Sequence, residues 1–180
     1  MPTDDSATVR NPHPADGGQA CGSPAHHEVL ARIATEIRED GDPQRAMEHV
    51  VRVLKNGLPA YTWVGIYLLE GNELVLGPFL GKPSPHTRIA LGSGICGAAA
   101  TERQTIVVDD VNADSRYLAC SLETRSEIVV PVMDLGRVLG EIDIDSDQPA
   151  AFGPSDRQLL EAVAALLAPR LVALVPSRRP

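Results

Sequence analysis

Aromatic residues are scarce in this chain: one Trp, three Tyr and two Phe among 180 residues. Basic charge is also in deficit. Sixteen Lys and Arg against 24 Asp and Glu leave a net charge of −8, which disfavours nucleic acid and anionic membranes as partners. No apolar run reaches the length of a membrane span. Residues 1–25 contain no Leu, Ile, Phe, Tyr or Trp, so they hold no secretory signal core, and a cytoplasmic location is expected. Cysteine is limited to Cys21, Cys96 and Cys120, with no Cys-x-x-Cys pair. That count excludes a thioredoxin-type dithiol and argues against a disulfide scaffold. None of the five histidines has ligand spacing to a Cys or carboxylate, so no metal site is expected. Gly92-Ser93-Gly94 lacks the third glycine and the lysine of a phosphate-binding loop.

Residues 1–25 are rich in Pro, Gly and Asp and too poor in apolar groups to offset the entropy of ordering; they are expected to be a disordered tail carrying Cys21. A single domain is expected over residues 26–175. It opens with two helical patterns. Val29, Leu30, Ile33 and Ile37 form the first, and Met47, Val50, Val51 and Leu54 the second, which starts at Asp42-Pro43 and stops at Gly57. Strand-like runs follow at 62–69 and 74–80 around a Gly71-Asn72 turn, with a third short run at 88–91. A small-residue helix is expected from Gly94, a strand at 105–108, and an irregular polar loop over 109–119. Residues 127–133 and 137–145 then form an antiparallel hairpin through Asp134-Leu135-Gly136, and a helix opens at Pro154. Hairpins bracketed by helices indicate an α+β domain with a central antiparallel sheet.

The stretch Gly140-Glu141-Ile142-Asp143-Ile144-Asp145-Ser146 carries the most chemistry. As a strand it sends Ile142 and Ile144 to one face and Glu141, Asp143 and Asp145 to the other. Clustered carboxylates raise one another's pKa and suit a cationic ligand, although a solvated strand face would show the same alternation. Cys120 ends the polar loop, a usual position for a reactive group. Cys96 lies at the start of a helix, where the dipole would favour the thiolate; packing as a small buried residue among Ala98–Ala100 is the plainer reading. Trp63 and Tyr67 share a strand face as core or as the apolar wall of a pocket.

Together these residues resemble the GAF-domain free methionine-(R)-sulfoxide reductases over about residues 30–172. The matching stretches are Trp63-Val64-Gly65-Ile66-Tyr67, Leu74-Val75-Leu76-Gly77-Pro78-Phe79, Gly94-Ile95-Cys96-Gly97, Tyr117-Leu118-Ala119-Cys120, Ser126-Glu127-Ile128-Val129-Val130-Pro131 and Ile142-Asp143-Ile144-Asp145-Ser146. The resemblance implies a GAF-like fold with N- and C-terminal helices packed on one face of the sheet. It makes Cys120 the catalytic thiol and Cys96 a second redox cysteine. Glu127, Asp143 and Asp145 become substrate-pocket acids with catalytic roles, and Trp63 and Tyr67 the pocket's aromatic side.

The implied reaction reduces free L-methionine (R)-S-oxide through a Cys120 sulfenic acid and a disulfide. It needs no bound cofactor and is recycled by thioredoxin or a small thiol. A homodimer is also common in this fold. One departure stands out. The loop Gly81-Lys82-Pro83-Ser84-Pro85-His86-Thr87-Arg88-Ile89 lacks the cysteine that usually resolves the sulfenic acid in the family. Resolution would then fall to Cys96, to Cys21 or to an external thiol. The alternative implied by that loss is a non-catalytic GAF binding or sensor module, against which stands the expected lack of an attached output domain.

Overall fold

A computed structural model describes residues 23–39, 41–118 and 121–174. Cys21 and Cys120 therefore lie outside the described residues, as does most of the expected tail. Helix α1 (Pro24–Glu39) begins two residues inside that expected tail. Helix α2 (Pro43–Gly57) starts where the Asp42-Pro43 signal places it: the Asp42 carboxylate accepts the Arg45 N–H at 2.9 Å. The remaining elements are β1 (Trp63–Glu70), β2 (Glu73–Leu80), β3 (Arg88–Ala90), α3 (Gly94–Glu102), β4 (Ile106–Val108), β5 (Ser126–Asp134), β6 (Arg137–Ser146) and α4 (Pro154–Leu171). The loop expected to be irregular contains one 3-10 turn, Val111–Ala113, because Val111 is fully buried and anchors it. The final helix opens at Pro154, as expected, and runs to Leu171.

The six strands form one antiparallel sheet in the order β3-β2-β1-β6-β5-β4. The two edges, β3 and β4, are three-residue strands, which limits exposed pairing groups. One face packs on α1, α2 and α4. Val64 and Ile66 of β1, Ile128, Val130 and Val132 of β5, and Ile142 and Ile144 of β6 meet Ile33, Met47, Leu54, Leu160 and Leu167 there. Burial of such side chains contributes roughly 1.5–3 kcal/mol each and fixes the strand register, since a slip by one residue would turn them outward. The opposite face carries a smaller core of Trp63, Tyr67, Leu74, Ile89, Ile95, Cys96, Ala99, Val111 and Val129. This is the α+β, GAF-like arrangement, with the terminal helices on one face of the sheet.

Candidate active site

Strand register assembles the site. The central strand β6 has β1 on one side and β5 on the other, so its alternate residues form rows across three strands. Asp145 is flanked by Trp63 and Glu127, Asp143 by Gly65 and Val129, and Glu141 by Tyr67 and Pro131. The acids lie on the face opposite Ile142 and Ile144, and they are not solvated. Glu127, Glu141, Asp143 and Asp145 have 4%, 0%, 2% and 4% of their surface exposed, which rules out the solvated-face reading. Both oxygens of Glu141, Oδ1 of Asp143 and Oδ1 of Asp145 have no hydrogen-bond partner among the described residues. Orphaned buried oxygens cost free energy, and three acids of one strand concentrate that cost at one place.

Helix α3 lays Cys96 over this surface. Its thiol donates to Asp143 Oδ2 at 3.4 Å and lies 3.9 Å from Glu127 Oε1. Cys96 does pack against small residues, but it also touches the acid cluster. The expected helix-dipole effect is overridden. Burial, then the charges of Asp143, Glu141 and Glu127, push the thiol well above its ordinary pKa, so Cys96 is a neutral S–H donor. Burial pushes Asp143 up to about 7, partly offset by the Cys96 hydrogen bond. Burial, followed by the charges of neighbouring carboxylates, also raises Glu127, Glu141 and Asp145 well above the carboxylate range. Without a cation in the site, the cluster holds protons.

Trp63 and Tyr67 occupy the same face and fasten the loop that follows β2. Trp63 Nε1–H donates to the Lys82 carbonyl at 3.0 Å, and Tyr67 Oη–H donates to the His86 carbonyl at 2.8 Å. The Trp63 ring stacks on Phe79 with centroids 5.9 Å apart and lies over Gly65, where a Cβ would overlap it. Gly81, at φ +141°, lets the loop turn against the other edge of the indole. A cavity of about 570 Å³ opens beside these groups, lined by Thr62, Trp63, Lys82, Ser84, Glu123 and Asp145 among others. Its size suits a small molecule. Lys82 and Glu123 form an ion pair across the mouth.

Of the residues singled out from sequence, Cys96, Glu127, Asp143 and Asp145 come together. Trp63 joins Asp145 in the cavity wall. Tyr67 lies on the same face but is fully buried and absent from that wall. Cys120 lies outside the described residues; on its two sides, Leu118 packs at the start of α3 beside Gly94 and Ser121 lines the cavity. Lys82 and Glu123 were not legible as site residues, since a lone Lys and Glu far apart in sequence carry no pattern.

A GAF domain family model matches residues 26–171. The chain is 42% identical to GAF domain-containing protein A of Dictyostelium discoideum, over 79% of this chain and 89% of that protein. It is 38% identical to the free methionine-R-sulfoxide reductase of Escherichia coli, over 64% of this chain and 69% of that protein. The fold superposes on the free methionine-R-sulfoxide reductase of Neisseria meningitidis in complex with its substrate, with TM-score 0.79 and 37% identity, covering 86% of this chain and 93% of the other. By that domain match, and by these identities and the coverage of both chains, the chain belongs to the GAF-domain free methionine-R-sulfoxide reductase family.

Proposed function

We propose that this protein reduces the R-sulfoxide of free L-methionine to methionine, with Cys120 as the attacking thiol. The observation that carries this reading is the buried row Trp63–Asp145–Glu127, with Asp143 and Cys96 beside it, which meets a cavity of small-molecule size at Trp63 and Asp145. The ammonium of a free amino acid supplies the cation the cluster lacks. Its arrival ionises carboxyls that burial otherwise keeps protonated, so the binding energy comes from charge-assisted hydrogen bonds in a site shielded from water. The Trp63 indole offers an apolar face to the methylthio end of the side chain.

The Cys120 thiolate attacks the sulfoxide sulfur while a protonated carboxyl of the cluster donates to its oxygen. The oxygen passes to Cys120 as a sulfenic acid, and methionine leaves with the electron pair on its sulfur. The Cys96 thiol then attacks the Cys120 sulfur, water departs with the oxygen, and a disulfide remains. Asp143, which already accepts the Cys96 hydrogen bond, takes the Cys96 proton in that step. An external dithiol such as thioredoxin reduces the disulfide, and no bound cofactor takes part. The loop between Gly81 and Ile89 holds no cysteine, and Cys96 is buried beside the acid cluster, which supports assigning it the resolving role.

Steady-state consumption of free L-methionine-R-sulfoxide, with dithiothreitol and then with thioredoxin, tests the scheme. Wild type should turn over with both reductants, and Cys120→Ser with neither. Unchanged activity in Cys120→Ser would reject the mechanism. Cys96→Ser should keep one stoichiometric turnover and lose thioredoxin-dependent cycling; persistent cycling would place the resolving thiol elsewhere. A wild type that binds the sulfoxide and never consumes it would be a binding module instead.

A further inference from the structure

The same cluster has the makings of a metal site, which the spacing of ligand-type residues along the chain does not reveal. One ligand atom each from Cys96, Glu127 and Asp143 can be chosen so that all lie within 4.8 Å of one another. The sulfur stands 3.4 Å from Asp143 Oδ2 and 3.9 Å from Glu127 Oε1. Bond lengths of about 2.3 Å to sulfur and 2.0–2.2 Å to oxygen in a tetrahedron set ligand atoms roughly this far apart. The three residues come from three elements, α3, β5 and β6, so the geometry is set by the fold and not by a mobile loop. A second observation points independently to an occupant. Asp143 Oδ1 and Asp145 Oδ1 are buried and have no hydrogen-bond partner among the described residues. A bare cluster leaves them orphaned, whereas a dication with a bound water would give them a charge and donors to face.

We propose that Cys96, Glu127 and Asp143 bind a Zn²⁺ ion in the reduced, substrate-free protein, with water in the fourth position. The thiolate selects a borderline-soft ion over Mg²⁺ or Ca²⁺, which prefer all-oxygen shells. Binding forms a Zn–S bond, breaks the Cys96 S–H bond and releases that proton, with any carboxyl proton, to solvent. The ion enters from the cavity, whose wall shares Asp145 with the cluster. It occupies the place the reductase reading gives to the substrate ammonium and sequesters the resolving thiol, so it inhibits turnover. The binding itself stands apart from that reading; only the inhibition rests on it.

Co²⁺ serves as the spectroscopic probe. Titrating the reduced, metal-stripped full-length chain carrying Cys21→Ser and Cys120→Ser should give a thiolate-to-cobalt charge-transfer band that saturates at one ion per chain and vanishes on adding Zn²⁺. Adding Cys96→Ala should abolish the band and weaken Zn²⁺ binding at least roughly tenfold, the cost of losing even an outer-shell partner. Asp143→Asn, which keeps the thiol, should weaken binding without abolishing the band. Zn²⁺ should raise the melting temperature of the Cys21→Ser/Cys120→Ser chain but not that of the chain lacking Cys96, which also reports that the variant folds. A missing band, or Zn²⁺ affinity indifferent to Cys96, would overturn the proposal. Turnover of the sulfoxide by the wild type in excess chelator is measured separately. If the metal binds and no turnover occurs, the reductase reading fails and the site stands.

Discussion

Asp143 is the residue where the site's opposing forces meet. It accepts from Cys96, sits between Gly65 and Val129, and is buried among three other acids. Its carboxyl holds a proton to about pH 7 in the fold but releases it near 3.8 in the unfolded chain. Between those values the folded state binds more protons, so the stability Asp143 contributes is fully present below about pH 4 and is lost as pH rises through 7. Glu127, Glu141 and Asp145 act in the same direction. Asp143→Asn in the presence of chelator should make that decline shallower and leave the protein more stable at neutral pH, by on the order of a few kcal/mol. Urea midpoints across pH 4–8 measure it; a decline as steep as in wild type would contradict the assignment. Gly65 matters for a different reason, because a methyl group there would push Trp63 off its place. Trp63 is the sole tryptophan, so its fluorescence reads the site directly. Gly65→Ala should shift that emission and raise KM for the sulfoxide several-fold with the fold retained. An unshifted spectrum would show that the ring tolerates the methyl group.

Among the elements, the β5–β6 hairpin carries three of the four acids on β6 and the fourth on β5. Its turn is Leu135-Gly136, with φ of 47° and 77°. Two positive values between directly paired Asp134 and Arg137 make a two-residue primed turn, for which Asn-Gly is the favoured sequence. Leu135 is fully exposed there, so its side chain gains nothing to balance the backbone strain. Leu135→Asn should raise stability by about 1 kcal/mol, read as a higher melting temperature with unchanged activity. A lower melting temperature would mean that the turn is held by something other than its backbone preference. The loop after β2 shows what sequence could not disclose. Its missing cysteine was legible, but its attachment was not. Trp63 and Tyr67 hold it through backbone carbonyls of Lys82 and His86, bonds that leave no trace in side-chain pattern.

At the scale of the whole molecule, sequence and structure agree where periodicity rules. The alternation of Glu141, Ile142, Asp143, Ile144 and Asp145 announced two faces of β6, and Asp42-Pro43 and Pro154 announced two helix starts. What alternation could not decide was whether the acid face meets water. That depends on α3, a short helix of small residues with almost no amphipathic pattern, which lies over the sheet and brings Cys96 to Asp143 and near Glu127. Burial there, and after it the charges of the acids, raises the thiol's pKa, against the lowering its place in the helix suggested. Glu141 belongs to the same account. It was visible as a member of the row, yet only its burial and its interaction with the Cys96 thiol set it in the site. The central claim is that Cys120 takes the sulfoxide oxygen and Cys96 resolves it. A rapid-quench experiment tests this most directly: reduced protein is mixed with one equivalent of free L-methionine-R-sulfoxide, alkylated, digested and read by mass spectrometry. The account predicts one methionine per chain and a Cys96–Cys120 linked peptide, whereas methionine formed with Cys120 still fully alkylated would contradict it.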